Sequence, residues 1–166
     1  MELNIEITRE DYIDFNKFYF VKKGMKKRIL IVIIAAIILP VIICIDHPFY
    51  LPEYLIYFLI TLVLFGGLYI GLMFLYINRT GKIPTENGSI LGLKKYIITE
   101  EGFMHEGEFH KGIHHWGGII SIEMSKKNIF IFTDSIAAYI IPRRYFESKE
   151  KEELFIEEIR NRIPEE

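Results

Sequence analysis

Hydrophobic and polar positions follow different periods along the chain, and each period predicts a different element. Residues 2–8 alternate, with Leu3, Ile5 and Ile7 on one side, which predicts a short strand. Thr8-Arg9-Glu10-Asp11 then reads as a helix cap, followed by Tyr12, Phe15, Phe18 and Tyr19 at helical spacing. Beyond this amphipathic helix the pattern becomes continuously apolar. Residues 29–45 carry no charge and would span roughly 26 Å as a helix, against a hydrocarbon core of about 30 Å. Residues 54–78 are also uncharged and would span roughly 37 Å, enough to cross a bilayer with tilt.

From residue 94 onward the runs are short: 94–99, 103–106, 107–115, 119–124, 128–133 and 137–141. Turn signals at 100–102, 125–128 and 133–135 separate them, which predicts an antiparallel meander. A helix over 148–163 closes the pattern, capped by Ser148, with Leu154, Phe155, Ile159 and Ile163 as its apolar stripe. Residues 79–93 hold Gly81, Pro84, Gly88 and Gly92 and read as a linker.

The expected organisation is therefore a strand and amphipathic helix over 1–24, a two-helix transmembrane hairpin over 25–78, a linker over 79–93 and a cytoplasmic domain over 94–166. A soluble bundle would need protein around every face of two wholly apolar helices, and the remaining chain is too short to supply it. Lys22, Lys23, Lys26, Lys27 and Arg28 precede the first apolar run, and Arg79, Lys82, Lys94 and Lys95 follow the second. Residues 46–53 hold neither lysine nor arginine, so both ends are expected in the cytoplasm of a multi-pass cell-membrane protein, with a compact, proline-containing turn outside. No cleavable leader is expected: Val41-Ile42-Ile43 precedes Cys44, and the charges lie too far from Met1.

Gly67 and Gly71, with Gly66 beside them, form a small-residue face that predicts close helix packing, either on the first span or in a homodimer. Pro40 should bend the first span. No ionisable residue lies within either run, which disfavours transport by this chain alone.

The net charge of −2 gives no basic field for nucleic acid. The single cysteine allows neither an internal disulfide nor a cysteine-based zinc site. No G-x-S-x-G and no phosphate-cradling glycine loop occurs, so neither a catalytic residue nor a cofactor is expected, and the chain reads as non-enzymatic. His105, His110, His114 and His115, with Glu106 and Glu108, have metal-ligand chemistry. On a strand, however, His114 and His115 point to opposite faces, and no HExxH spacing occurs. A solvated strand pair is the expectation there, and no metal.

The candidate lipid- or partner-binding residues are Lys126 and Lys127 in a hairpin turn, Arg143 and Arg144 after the last strand, and Trp116 beside Gly117-Gly118. The arginines read either as headgroup ligands or as partners of Glu147 or Glu150. Trp116 reads either as a core anchor or as a membrane-facing edge.

Several segments together carry a resemblance: residues 8–16 from Thr8 to Asn16, Ile98-Thr99-Glu100-Glu101-Gly102, residues 116–120 from Trp116, and Tyr139-Ile140-Ile141-Pro142-Arg143-Arg144-Tyr145-Phe146. In this order around two apolar runs, the chain resembles the YcxB-like family of bacterial membrane proteins across nearly its whole length. Its histidine-rich stretch over 106–116 departs from that pattern. The resemblance implies a pleckstrin-homology-like C-terminal domain and no established activity. The expected fold is thus a membrane α-helical hairpin plus a small α+β cytoplasmic domain, an antiparallel pleckstrin-homology-like sheet closed by a C-terminal helix. The expected role is a membrane-tethered, protein-binding module. The alternatives are an anionic-lipid-binding domain or a small immunity or accessory subunit of a membrane system.

Overall fold

The computed structural model describes residues 1–45, 50–85, 88–108 and 110–164, so half of the expected outer turn, residues 46–49, lies outside the described residues. The chain forms two compact units. One joins Met1–Phe18 to Thr80–Glu166, and the other is Tyr19–Arg79. The architecture is α+β with antiparallel sheets. This redraws the division expected from the sequence, because the N-terminal strand and first helical turns belong with the C-terminal domain.

In the first unit, strand β1 (Glu2–Ile7) turns Ile5 and Ile7 inward, as its alternation predicts. It pairs antiparallel with β2 (Gly92–Ile98), which pairs with β3 (Gly102–Gly107), which in turn pairs with β4 (Lys111–His115). β3 and β4 approach closely at Gly102, where a Cβ would lie 2.2 Å from the His114 carbonyl oxygen. A 3-10 turn over Trp116–Gly118 ends this sheet. The chain then starts a second one, with order β5 (Ser121–Met124), β6 (Asn128–Phe132) and β7 (Ala138–Pro142).

The expected single meander is thus two sheets. The break falls at Trp116-Gly117-Gly118, where ladder pairing gives way to a tight turn. The expected linker is shorter than 79–93, since Gly81 and Pro84 are buried and the Arg9 guanidinium donates to the Gly81 carbonyl at 2.7 Å.

Every residue of β6 is buried, which makes it the centre of the core. Phe15 and Phe18, from the first turns of helix α1 (Arg9–Ile43), stack on Phe130 with ring centroids 5.4 and 4.9 Å away. Helix α3 (Lys149–Arg160) starts at Ser148, whose hydroxyl accepts from the Lys151 N–H. It buries Glu152, Phe155, Ile156 and Ile159. Leu154, expected on the stripe, is 62% exposed, because the inward positions follow the three- and four-residue spacing of 152, 155, 156 and 159.

In the second unit, α1 continues to Ile43 and helix α2 runs over Leu51–Thr80. Pro52 sits in the first turn of α2, where its missing N–H costs no helical bond. Thr61 returns its hydroxyl to the Tyr57 carbonyl at 2.8 Å, so the apolar run carries no stray donor there. Among the described residues α2 is the one helix long and apolar enough to cross a membrane, and only 6% of its most apolar window is buried. The uncharged part of α1 inside the helix ends at Ile43 and spans roughly 22 Å, with Lys26, Lys27 and Arg28 immediately before it.

Phe130→Ala should cost about 3–5 kcal/mol of unfolding free energy, measured by chemical denaturation of the full chain in detergent. Leu154→Ala should stay within about 0.5 kcal/mol of the parent protein.

Candidate functional site

Two aspartates three residues apart on α1 organise the polar surface of the first unit. Asp11 closes the helix start reciprocally: its carboxylate accepts from the Thr8 N–H at 2.9 Å and the Thr8 hydroxyl at 2.8 Å. The same carboxylate receives both terminal nitrogens of Arg144 at 2.7 and 2.8 Å, and Arg144 also donates to the Glu6 carbonyl at 3.0 Å. Asp11 is 2% exposed, and burial alone would raise its pKa. The hydrogen bonds from Arg144 and Thr8 outweigh burial and hold it below the ordinary value. Asp14 accepts from the Ser125 hydroxyl and from the Asn128 side-chain amide at 2.8 Å. Ser125 in turn accepts from the Lys127 and Asn128 N–H groups and so shapes the β5–β6 turn.

The four basic candidates therefore divide. Arg144 is bound to Asp11, and Arg143 is bound to Glu152 at 2.6 Å with a second bond to the Ser125 carbonyl. These are not the carboxylates expected from the sequence: Glu147 pairs with Lys151, and the partner of Arg144 lies 133 residues away. Lys126 and Lys127 are exposed, and among the described residues neither ammonium makes an ion pair. Trp116 donates its indole N–H to the Thr99 and Glu100 carbonyls, with the Arg162 guanidinium 5.5 Å from its ring centroid. That ties the β2–β3 turn to the end of α3. A Cβ added at Gly66, Gly67 or Gly71 would meet nothing within 4 Å, so this face of α2 is open and does not pack closely within its unit.

The histidine-rich stretch also separates. His115 faces outward, its ring 3.2 Å from the Glu101 carbonyl. His105 and His114 face inward toward Tyr139, and the Tyr139 hydroxyl lies 2.9 Å from the His105 Nδ1. Among the described residues no three histidine, cysteine or carboxylate side chains converge as a metal set. A recess of about 170 Å³ opens beside these rings, lined by Lys94, Tyr96, His105, His110 and Tyr139 with Ser89 and Ile90 at one side. Lys94 reaches it from β2, a placement that no local motif announces. The signal available in the sequence is the alternation of β2, which puts Lys94 on the same face as Tyr96 and Ile98.

Asp11→Asn should lower stability at neutral pH by about 2 kcal/mol, because it leaves Arg144 without its counter-charge. The pH dependence follows from His105, whose pKa is lowered from 6.5 by burial and then by the charges of His110, His114 and Lys94. The unfolded chain takes up this proton first, so stability should fall as pH drops below about 6.5. Denaturation midpoints across that range should show the slope, and His105→Gln should flatten it.

No curated protein and no solved structure matches the chain. Residues 98–159 match the model of a family described as YcxB-like protein. The match runs from the end of β2 through the second sheet and nearly all of α3, a narrower stretch than the resemblance seen in the sequence. Over residues 98–159 the chain is therefore similar to the YcxB-like family.

Proposed function

We propose that the protein is a non-enzymatic, membrane-tethered interaction module. In this reading α1 and α2 form a transmembrane hairpin, both ends of the chain lie in the cytoplasm, and a pleckstrin-homology-like domain is held at the inner leaflet. The observation that carries it is the apolar surface of α2. Val63, Leu64, Ile70 and Phe74 are each more than 60% exposed, and no part of a soluble protein leaves such a continuous face to water. Lys26, Lys27 and Arg28 before the first apolar run, and Arg79 and Lys82 after the second, support the orientation.

The binding role is assigned to the exposed surface of the first unit, with the membrane bilayer and a membrane-protein partner as its surroundings. Lys126 and Lys127 are the residues best placed for anionic lipid, since Arg143 and Arg144 already have counter-charges. Self-association has its own observation, the open face at Gly66, Gly67 and Gly71.

The full chain should remain with membranes through alkaline carbonate extraction. In a Cys44→Ala background, an impermeant maleimide applied to intact cells should label Tyr50→Cys and spare Ser135→Cys. Release by carbonate, or labelling at Ser135→Cys, would refute the tether or its orientation respectively.

A further inference from the structure

Strand alternation brings Lys94 to the inner face of its sheet, between Ile5 on β1 and Gly107 on β3. The rest of that face is apolar or aromatic: Ile7, Tyr96, Ile98 and Phe103 are all buried. Lys94 is itself only 8% exposed, yet among the described residues its ammonium has no hydrogen bond or ion pair. Glu108 is the anion whose charge reaches it, without direct contact. Holding an ammonium in a largely apolar setting without a direct partner is costly, and an apolar side chain at this position would carry no such penalty.

Two glycines clear the space around this charge. A Cβ at Gly107 would lie 2.8 Å from the Lys94 Nζ and 3.2 Å from the His110 Cε1. A Cβ at Gly112 would lie 2.9 Å from the His105 Cε1. Lys94 and His110 therefore converge on one point, and the His105 ring follows 5.4 Å from that of His110. The Tyr139 hydroxyl lies 2.9 Å from the His105 Nδ1, and in the tautomer that accepts this bond the Nε2 is a further N–H donor. The recess of about 170 Å³ is thus an apolar-walled cavity whose polar groups are mainly donors.

We propose that this recess binds a small phosphate-type oxyanion, with Lys94 as its principal charge and His110 and His105 as further donors. A tetrahedral oxyanion accepts bonds from several directions at once, which suits donors arriving from β2, β3 and the turn between β3 and β4. It would supply the direct counter-charge that Lys94 lacks and offset the repulsion from neighbouring positive charges that, after burial, lowers the His105 pKa. The site stands whether or not α2 crosses a membrane, because every residue in it belongs to the first unit.

The test titrates inorganic phosphate, and separately a short-chain phosphatidic acid, into the full chain in a phosphate-free maltoside detergent. Binding is followed by calorimetry and by the histidine ring resonances. Saturable binding of inorganic phosphate that is lost in Lys94→Met, and weakened about tenfold in the exposed-turn variant His110→Gln, supports the site with a free anion as ligand. The same variant pattern with phosphatidic acid alone supports it with a lipid headgroup as ligand. Lys94→Met should melt no lower than the parent protein. Should it fail to fold, His110→Gln decides the matter in either direction. Binding of neither probe, or equal binding by the parent protein and both variants, overturns the proposal.

Discussion

The ion pair between Asp11 and Arg144 is the interaction on which the first unit depends. It joins a helix that begins at residue 9 to a 3-10 turn at residues 143–145, across 133 positions of sequence. Because Asp11 also closes the start of α1, one carboxylate both ends a strand-to-helix turn and fastens that turn to the distal half of the domain. Asp14 repeats the arrangement one turn later on Ser125 and Asn128, and Phe15 and Phe18 then lie against β6. Polar bonds set the position of the helix start, and aromatic burial holds it.

This arrangement occupies the Arg144 charge, which the C-terminal region taken alone would leave for a ligand. From the sequence Arg143 and Arg144 read either as headgroup ligands or as partners of Glu147 or Glu150. In the folded unit both serve carboxylates, one on α3 and one on α1. Lys94, by contrast, faces inward and meets histidines and tyrosines, with no acid in direct contact among the described residues. A cation in a largely apolar setting without a direct partner lowers stability, and a sequence selected only for folding would place an apolar residue there. The ion-paired arginines and the solitary lysine thus play opposite roles, one structural and one suited to an external anion.

Much of the fold is legible in the sequence because it rests on local periodicity. The alternation of residues 2–8, the strand runs between 94 and 141 and the cap at Ser148 all reappear as elements with small shifts at their ends. The apolar run over 54–78 lies within α2. The stripe predicted for α3 is wrong at Leu154, and the predicted single sheet is two, because Trp116-Gly117-Gly118 signals a turn without stating that pairing ends there. The candidate site is less legible. Lys94 and His105 are brought together by strand register, and His110 by the turn that follows, none of which composition encodes.

The sequence by itself determined where most strands and helices form, that the run over 54–78 is apolar enough for a bilayer, and that the C-terminal region is YcxB-like. Those properties depend on residues within a few positions of one another, where backbone propensity and side-chain spacing decide. Only the tertiary structure decided that residues 1–18 complete the domain formed by residues 80–166, that Asp11 and Glu152 take the two arginines, and that Lys94 is left facing a recess. Each of these depends on elements that folding brings together, the Asp11–Arg144 pair across 133 positions. They are fixed by which charges find partners once the sheets pack, and no local pattern carries that information.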